Sequence, residues 1–367
     1  MIKQPPFKIA LVGDMLSMGG AERVQARLSF FFEAQGIDVH HIIVMDRVTY
    51  PFAGTLFNMG KLKNKSNGFA NKISRFNALK TYLKEQKFDF IIDFRVKNNF
   101  IQEYLIANFL YKSKYVMSIR SFETKYYFPK NNYFAKFIYH KAYGLVTVSK
   151  ALENKIIEKY GYQNVCTIYN PIDRIEIQKH ASGISPFDIT YILGVGRLTA
   201  IKQWDHLIEA FAASNAVSKK IKLVLLGEGH RRDALQLLVK KLNIEKHVVF
   251  VDFKENPFPY LKNAYFTALT SKNEGFPNVL LESLACGTPV LAYNCESGPN
   301  EIITNLQNGL LVENQNIQAM TLAINKMVEN KKLYDICKEN SVNSVERFEF
   351  ETIGNAWLQF LNIPVKS

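Results

Sequence analysis

Glu274-Gly-Phe-Pro-Asn-Val-Leu-Leu-Glu282 decides the reading of this chain. An apolar run at residues 266–269 precedes it and reads as a strand. The nonapeptide then turns sharply and opens a helix at residues 278–285. Pro277 suits the first turn of a helix, where a missing N–H costs nothing. Gly275 lets another group come close to the backbone. A helix starting there directs several N–H groups at whatever lies beyond the strand end, which suits a phosphate or sugar oxygen. Glu274 stands before the helix and Glu282 in its second turn, so the two carboxylates can accept hydrogen bonds from opposite ends of one ligand. A solvated helix start with two surface acids, or a capping arrangement, has the same local pattern.

Strand, tight loop and helix recur on both sides of this stretch. In the second half, strands are expected at residues 189–194, 221–226, 248–251, 266–269 and 290–292, with helices at 203–213, 232–242, 278–285 and 317–328. In the first half, strands are expected at 7–13, 39–44, 88–93, 115–119, 145–148 and 165–168. A helix begins near Ala21, with Val24, Leu28 and Phe31 on one face. Strands alternating with helices predict parallel sheets covered on both faces. The joint falls at Asn170-Pro-Ile-Asp173, followed by a polar segment at 179–186. The expected architecture is α/β, with two Rossmann-like domains, 1–172 and 173–349, whose parallel sheets face each other across a cleft. A C-terminal helix at about 350–363 is a candidate to pack back on the first domain. In such sheets ligands bind beyond the carboxyl ends of the strands.

Three more segments follow strand ends. Gly194-Val-Gly-Arg197-Leu-Thr-Ala-Ile-Lys202 places two cations after glycines. Arginine offers a fork matched to phosphate oxygens, and lysine adds a mobile point charge. Position 199 is threonine, so the G-x-G-x-x-G dinucleotide fingerprint is absent and an oxidoreductase is disfavoured. Gly13-Asp-Met-Leu-Ser-Met-Gly-Gly20-Ala-Glu-Arg23 puts a glycine pair at a helix start. Gly227-Glu228-Gly229 is a weaker signal of the same kind. A polar turn or a flexible loop accounts for each of these segments equally well when taken alone.

The 367 residues suit two domains, and 47% apolar with 22% charged residues suits a globular protein with a sizeable core. No stretch approaches the about 20 apolar residues of a membrane-spanning helix, and no N-terminal segment has signal-peptide form. A cytoplasmic location follows as the expectation. Cys166, Cys286, Cys295 and Cys337 show neither C-x-x-C nor zinc-type spacing, and read as free thiols. The formal charge of +13 is uneven. Residues 1–180 hold 27 Lys and Arg against 14 Asp and Glu, whereas residues 181–367 hold 19 of each. An anionic partner for the first half is implied. Lysines crowd residues 61–87, and residues 112–141 interleave lysines with aromatic rings. Such mixing suits an anionic membrane interface. It also occurs in nucleic-acid binders and over ordinary aromatic cores.

Together these segments resemble glycosyltransferase family 4, retaining transferases of the GT-B fold. The resemblance rests on Gly19-Gly20-Ala21-Glu22-Arg23, on Gly196-Arg197-Leu198 with Lys202, on Gly227-Glu228-Gly229, and on the E-x7-E block from Glu274 to Glu282 continuing to Pro289. Ser297-Gly-Pro-Asn-Glu-Ile-Ile303 and Asn308-Gly-Leu-Leu-Val312 also fit, so the likeness covers most of the chain in order. Within the family the chain resembles enzymes that build bacterial glycans on polyprenyl-diphosphate lipids, such as N-acetylgalactosamine and hexose transferases.

The resemblance implies a UDP-sugar donor held by the second domain and a lipid-linked glycan acceptor met by the first. Arg197 and Lys202 would neutralise the diphosphate. Glu274 would bind sugar hydroxyls beside the backbone of Gly275, Phe276, Pro277, Asn278 and Val279, with Glu228 also at the donor. Glu282 would bind the ribose, and Gly19 and Gly20 would approach the diphosphate. Several family members carry a histidine after the strand at 115–119, where this chain has Arg120. Arg120 and Arg95, each at a strand end, are the acceptor-side candidates. No Asp-x-Asp occurs, so no metal and no cofactor are expected, with the anomeric configuration retained. The expected place of action is the inner face of the cytoplasmic membrane, without crossing it and without nucleic acid. A nucleotide-sugar epimerase of the same fold remains the alternative.

Overall fold

The computed structural model describes residues 6–17, 19–65, 68–97, 99–183 and 185–365. Met18 in the first glycine loop and Ile184 in the polar segment lie outside these. The chain divides into two compact units: unit 1 is Met1–Pro171 with Phe350–Ser367, and unit 2 is Ile172–Glu349.

Unit 1 is built on a parallel sheet of β1 (Lys8–Gly13), β2 (Asp38–Ile43), β3 (Thr55–Asn58), β4 (Phe90–Asp93), β5 (Lys114–Ile119), β6 (Gly144–Thr147) and β7 (Val165–Thr167). Their order is β3-β2-β1-β4-β5-β6-β7. Unit 2 holds β8 (Tyr191–Val195), β9 (Lys222–Leu226), β10 (Val248–Val251), β11 (Phe266–Leu269), β12 (Val290–Asn294) and β13 (Gly309–Glu313), ordered β10-β9-β8-β11-β12-β13. Every pairing is parallel. In each sheet the order reverses direction beside the first strand, β1 or β8, which is where doubly wound sheets bind ligands.

The central strands are continuous apolar runs because helices cover both faces. Two strands escaped the sequence reading. β3 lies at a sheet edge, is only four residues long and is half-exposed, so Leu56 and Phe57 give a short, weak pattern. β13 begins at Gly309, and glycine weakens a strand signature.

Side-chain caps explain several helix starts. Ser149, Asp173, Asn316 and Asn330 each accept a first-turn N–H. The Asp173 cap starts the helix Arg174–Ala181 just past the joint. In unit 1, the helix Gly20–Ala34 sets Val24, Leu28, Phe31 and Phe32 into a core shared with Ile353, Trp357, Leu358 and Leu361 of the C-terminal helix Phe350–Leu361. Gly354 makes the close helix contact possible, because a Cβ there would lie 2.5 Å from the Phe31 ring. Among the described residues, no helix is long and apolar enough to cross a membrane. The four cysteines are free thiols.

Candidate active site

In unit 2, four loops at the carboxyl ends of strands are fastened to one another. The loop after β8 carries Arg197 and Lys202. Leu198 N–H donates to Glu228 O at 2.7 Å, and Arg231 N–H donates to Leu198 O at 3.1 Å, which ties this loop to the one after β9. The approach demands glycine: a Cβ on Gly227 would sit 2.1 Å from Gly196 O, and one on Gly229 would sit 2.3 Å from Leu198 O. From the other side, Thr270 Oγ1 donates to the carbonyls of Lys202 and Gln203, and Lys272 N–H donates to Ile201 O. Trp204 Nε1–H holds Arg197 O at 3.0 Å. The backbone bearing both cations is thus fixed by buried donors at each end.

The loop after β11 brings Glu274 to this point. Lys202 Nζ lies 2.6 Å from Glu274 Oε1, with the two side chains 16% and 14% exposed. These residues are 72 positions apart, so sheet topology alone makes the pair. Arg197 beside them is exposed. Ser297 Oγ donates to Gly275 O at 2.7 Å, and Phe276 is buried edge-on against Phe348, centroids 5.5 Å apart. The helix Asn278–Ala285 then begins. Pro277 is its N-cap, with ψ of 98°, rather than a residue of its first turn, and there is no side-chain cap. The helix start therefore presents the positive end of its dipole beside Glu274 without a capping side chain. Asn278 and Val279 are half-buried and Glu282, one turn on, is buried. Glu228 is exposed on the loop after β9.

Unit 1 presents its own carboxyl edge. Gly19 is the N-cap and Gly20 the first residue of the helix after β1. A Cβ on Gly19 would lie 1.9 Å from Glu22 Oε2, so the Glu22 carboxylate folds back over the helix start. Arg120, after β5, is half-buried. Its Nη2 donates to Asn170 Oδ1 and its guanidinium lies 5.6 Å from the Phe94 ring centre. Burial pushes it down to about 10, so it stays charged at neutral pH.

Arg95 requires a correction. It is buried, not open to an acceptor. Its guanidinium donates to both Asp93 oxygens, at 3.1 and 2.7 Å, and to Glu103 at 3.3 and 3.1 Å. Lys97 Nζ lies 2.7 Å from Asp93 Oδ2, and Tyr111 O–H donates to the same oxygen at 3.0 Å. Burial alone would raise the Asp93 carboxyl; Arg95 and Lys97 outweigh it and hold the carboxyl well below the usual range. Asp93, Arg95 and Lys97 alternate in sequence, which is the only hint the chain gives of this network. The sequence reading also passed over Asp14, directly after β1, whose Oδ2 accepts Val96 N–H at 3.3 Å. Burial raises its pKa. Among the described residues, no three His, Cys, Asp or Glu side chains are grouped to hold a metal ion.

Residues 153–343, more than half of the chain, match the family described as Glycosyl transferases group 1, and residues 18–175 match Glycosyltransferase Family 4. The chain belongs to glycosyltransferase family 4. The N-acetylgalactosamine-N,N'-diacetylbacillosaminyl-diphospho-undecaprenol 4-alpha-N-acetylgalactosaminyltransferase of Campylobacter jejuni is 29% identical over 367 aligned residues, 96% of this chain and 99% of that one. A poly(ribitol-phosphate) alpha-N-acetylglucosaminyltransferase of Staphylococcus aureus is 26% identical, over 61% of this chain and 44% of that protein. Among solved structures, a mutant of S. aureus TarM in complex with fondaparinux, alpha-GlcNAc-glycerol and UDP superposes with a TM-score of 0.77, at 15% identity, over 97% of this chain and all of that one. Anabaena HepE in complex with UDP gives 0.76 at 19% identity, again over 97% and 100%. The two Rossmann-like units of this glycosyltransferase are thus those of the GT-B fold.

Proposed function

We propose that this glycosyltransferase moves a hexose or N-acetylhexosamine from a UDP-sugar to a polyprenyl-diphosphate-linked oligosaccharide, retaining the anomeric configuration and requiring no metal ion. The product would feed a cell-surface polysaccharide or a glycoprotein glycan. Unit 2 takes the donor and unit 1 the acceptor. The observation that carries the reading is the Lys202–Glu274 pair, 2.6 Å apart on clamped backbone at a helix N-terminus. An ammonium and a carboxylate already in contact there can be shared out to a ligand that is anionic at one end and hydroxylated at the other. The undecaprenol-linked substrate named for the Campylobacter relative and the UDP bound in the HepE and TarM structures support the choice of acceptor and donor class.

In the reaction, the bond between the anomeric carbon and the diphosphate oxygen breaks and its electron pair stays on the phosphate. Arg197, Lys202 and the N-terminus of the helix Asn278–Ala285 stabilise that charge where it forms. Glu274 holds sugar hydroxyls, Glu282 holds the ribose, and the backbone from Gly275 to Val279 lies alongside. Glu228 is a further donor contact, and Gly19 and Gly20 admit the diphosphate. Arg120 is our candidate for contact with the acceptor. The acceptor hydroxyl oxygen bonds to the anomeric carbon, and its proton passes to an oxygen of the departing diphosphate. Fixed cations supply the positive charge that a metal ion supplies elsewhere. Such an acceptor lies in lipid, so the enzyme works at the inner face of the cytoplasmic membrane.

The test incubates the protein with a panel of UDP-sugars, with and without bacterial lipid extract and with and without EDTA. We expect UDP release that depends on lipid, is indifferent to EDTA, and yields a product whose anomeric coupling in NMR matches the donor. Donor conversion without acceptor would overturn transfer in favour of epimerisation. Loss of turnover in EDTA would overturn metal independence.

A further inference from the structure

Two helices of unit 1 carry an apolar surface that sugar transfer does not use. Ile101, Leu105 and Phe109 recur four residues apart along Phe100–Leu105 and its π-helical continuation Ile106–Leu110. Tyr133, Phe134 and Phe137 lie on the helix Asn132–Tyr139. All six are exposed, Ile101 by 72% and Tyr133 by 87%. The helices form one surface. The Tyr104 ring lies flat on Phe137 with centroids 5.0 Å apart, and Asn108 Nδ2 donates to Ile138 O at 2.9 Å. Right-handed crossovers from β4 to β5 and from β5 to β6 put both helices on the same face of the sheet. A contiguous exposed patch of this kind marks a contact surface.

Charge says what meets it. Residues 100–152 hold eight Lys and Arg and two acids. Glu103 is buried against Arg95, and Glu123 is paired with Lys125 at 3.0 Å. Lys112, Lys130, Lys136 and Lys141 are exposed around the rings. Aromatic and aliphatic side chains ringed by cations match the headgroup zone of a bilayer, where rings settle at the interface and lysines meet lipid phosphates.

We infer that this two-helix face docks on an anionic phospholipid bilayer. The inference rests on the reading that the acceptor is borne by lipid, and it names the surface that brings the enzyme to it. It differs from the expectation drawn from residues 112–141, because half of the apolar surface comes from residues 101–109.

The experiment floats the full chain with phosphatidylglycerol–phosphatidylcholine vesicles and with phosphatidylcholine vesicles, at low and high salt. One variant combines Ile101→Ser, Phe109→Ser, Tyr133→Ser and Phe137→Ser; another combines Lys130→Glu and Lys136→Glu. We expect the wild-type chain to float with the anionic vesicles, more weakly in high salt. Each variant should lose at least about tenfold in bound fraction. Turnover of a short-chain, water-soluble acceptor should be unchanged, which reports an intact fold. If the wild-type chain and the serine variant bind anionic vesicles equally, the assignment of this face is overturned while the membrane reading stands. If the wild-type chain binds no vesicle yet turns over acceptor in detergent, both the docking face and membrane attachment fall. Self-association in sedimentation that the serine variant abolishes, without lipid binding, assigns the face to a second copy and overturns the inference.

Discussion

Each unit gathers opposite charges just beyond a strand of its sheet, and the two clusters are built for different ends. In unit 1, Asp93, Arg95, Lys97 and Glu103 form a closed network whose side chains are no more than 8% exposed. In unit 2, Lys202 and Glu274 make a single contact and are each about twice as exposed. The closed network consists of two cations and two anions that satisfy one another, so it has no charge to offer a ligand. The open pair can give its lysine to a phosphate and its carboxylate to hydroxyls, and Arg197 stands exposed beside it. Charge at a strand end therefore marks a site only where solvent, and hence a ligand, can reach it.

The comparison breaks if the network can lose a member cheaply. Asp93→Asn leaves two buried cations facing Glu103 alone. Removing one partner of a buried ion pair costs about 3–5 kcal/mol, because the remaining charge is desolvated without compensation. Urea unfolding should show a loss of that size. A loss within about 0.5 kcal/mol, as at an ordinary surface site, would mean that the network is not closed. The pair should behave in the opposite way. Lys202→Ala is expected to lower kcat/KM about 10²–10³-fold, as removal of a charge-stabilising group does. Its unfolding midpoint should stay near wild type, since partly exposed ion pairs contribute about 0–1 kcal/mol. A large stability loss with little loss of activity would reverse the assignment.

Much of the fold was legible because parallel strands buried on both faces are plain apolar runs. Residues 248–251 and 266–269 were read with the bounds that the structure shows. Thr55–Asn58 was not legible, since an edge strand of four residues needs little apolar content. The chemistry was legible only where it is local in sequence. Glu274 to Glu282 spans one loop and one helix, so its spacing alone suggests a ligand. The contact of Lys202 with Glu274 spans 72 positions and follows from β8 lying beside β11. Arg95 was misread for a related reason. A cation at a strand end looks the same in sequence whether it turns to solvent or to a carboxylate, and Glu103 sits eight residues away on another element. The lysine-rich segment at 112–141 was visible as composition. Its apolar partner at 101–109 was not, because only tertiary contacts, the packing of Tyr104 on Phe137 and the Asn108–Ile138 hydrogen bond, join the two.

A smaller effect sharpens the contrast within unit 1 itself. His41 on β2 is wholly buried, with Gln25 Nε2 3.3 Å from its Nδ1. Burial pushes its pKa down from 6.5 to about 4, a backbone hydrogen bond with Ala53 opposing only in part. The folded value lies below the unfolded one, so as pH falls the unfolded chain takes up the proton first. Stability is then full above about pH 6.5 and is lost progressively down to about pH 4, by roughly 3 kcal/mol in all. Asp93 acts in a separate window. Its folded value lies below the ordinary carboxyl range, so its contribution is lost only below about pH 4. Urea midpoints measured from pH 7 to pH 4 should therefore decline in the wild type and decline less steeply in His41→Leu, where His40, whose pKa burial also lowers, keeps part of the slope. The two tryptophans separate the units, since Trp357 is buried in the core of unit 1 and Trp204 in unit 2. With 5-fluorotryptophan incorporated, the Trp357 signal should carry the acid-dependent loss that His41→Leu removes. An unchanged slope in that variant would assign the acid sensitivity to groups other than His41.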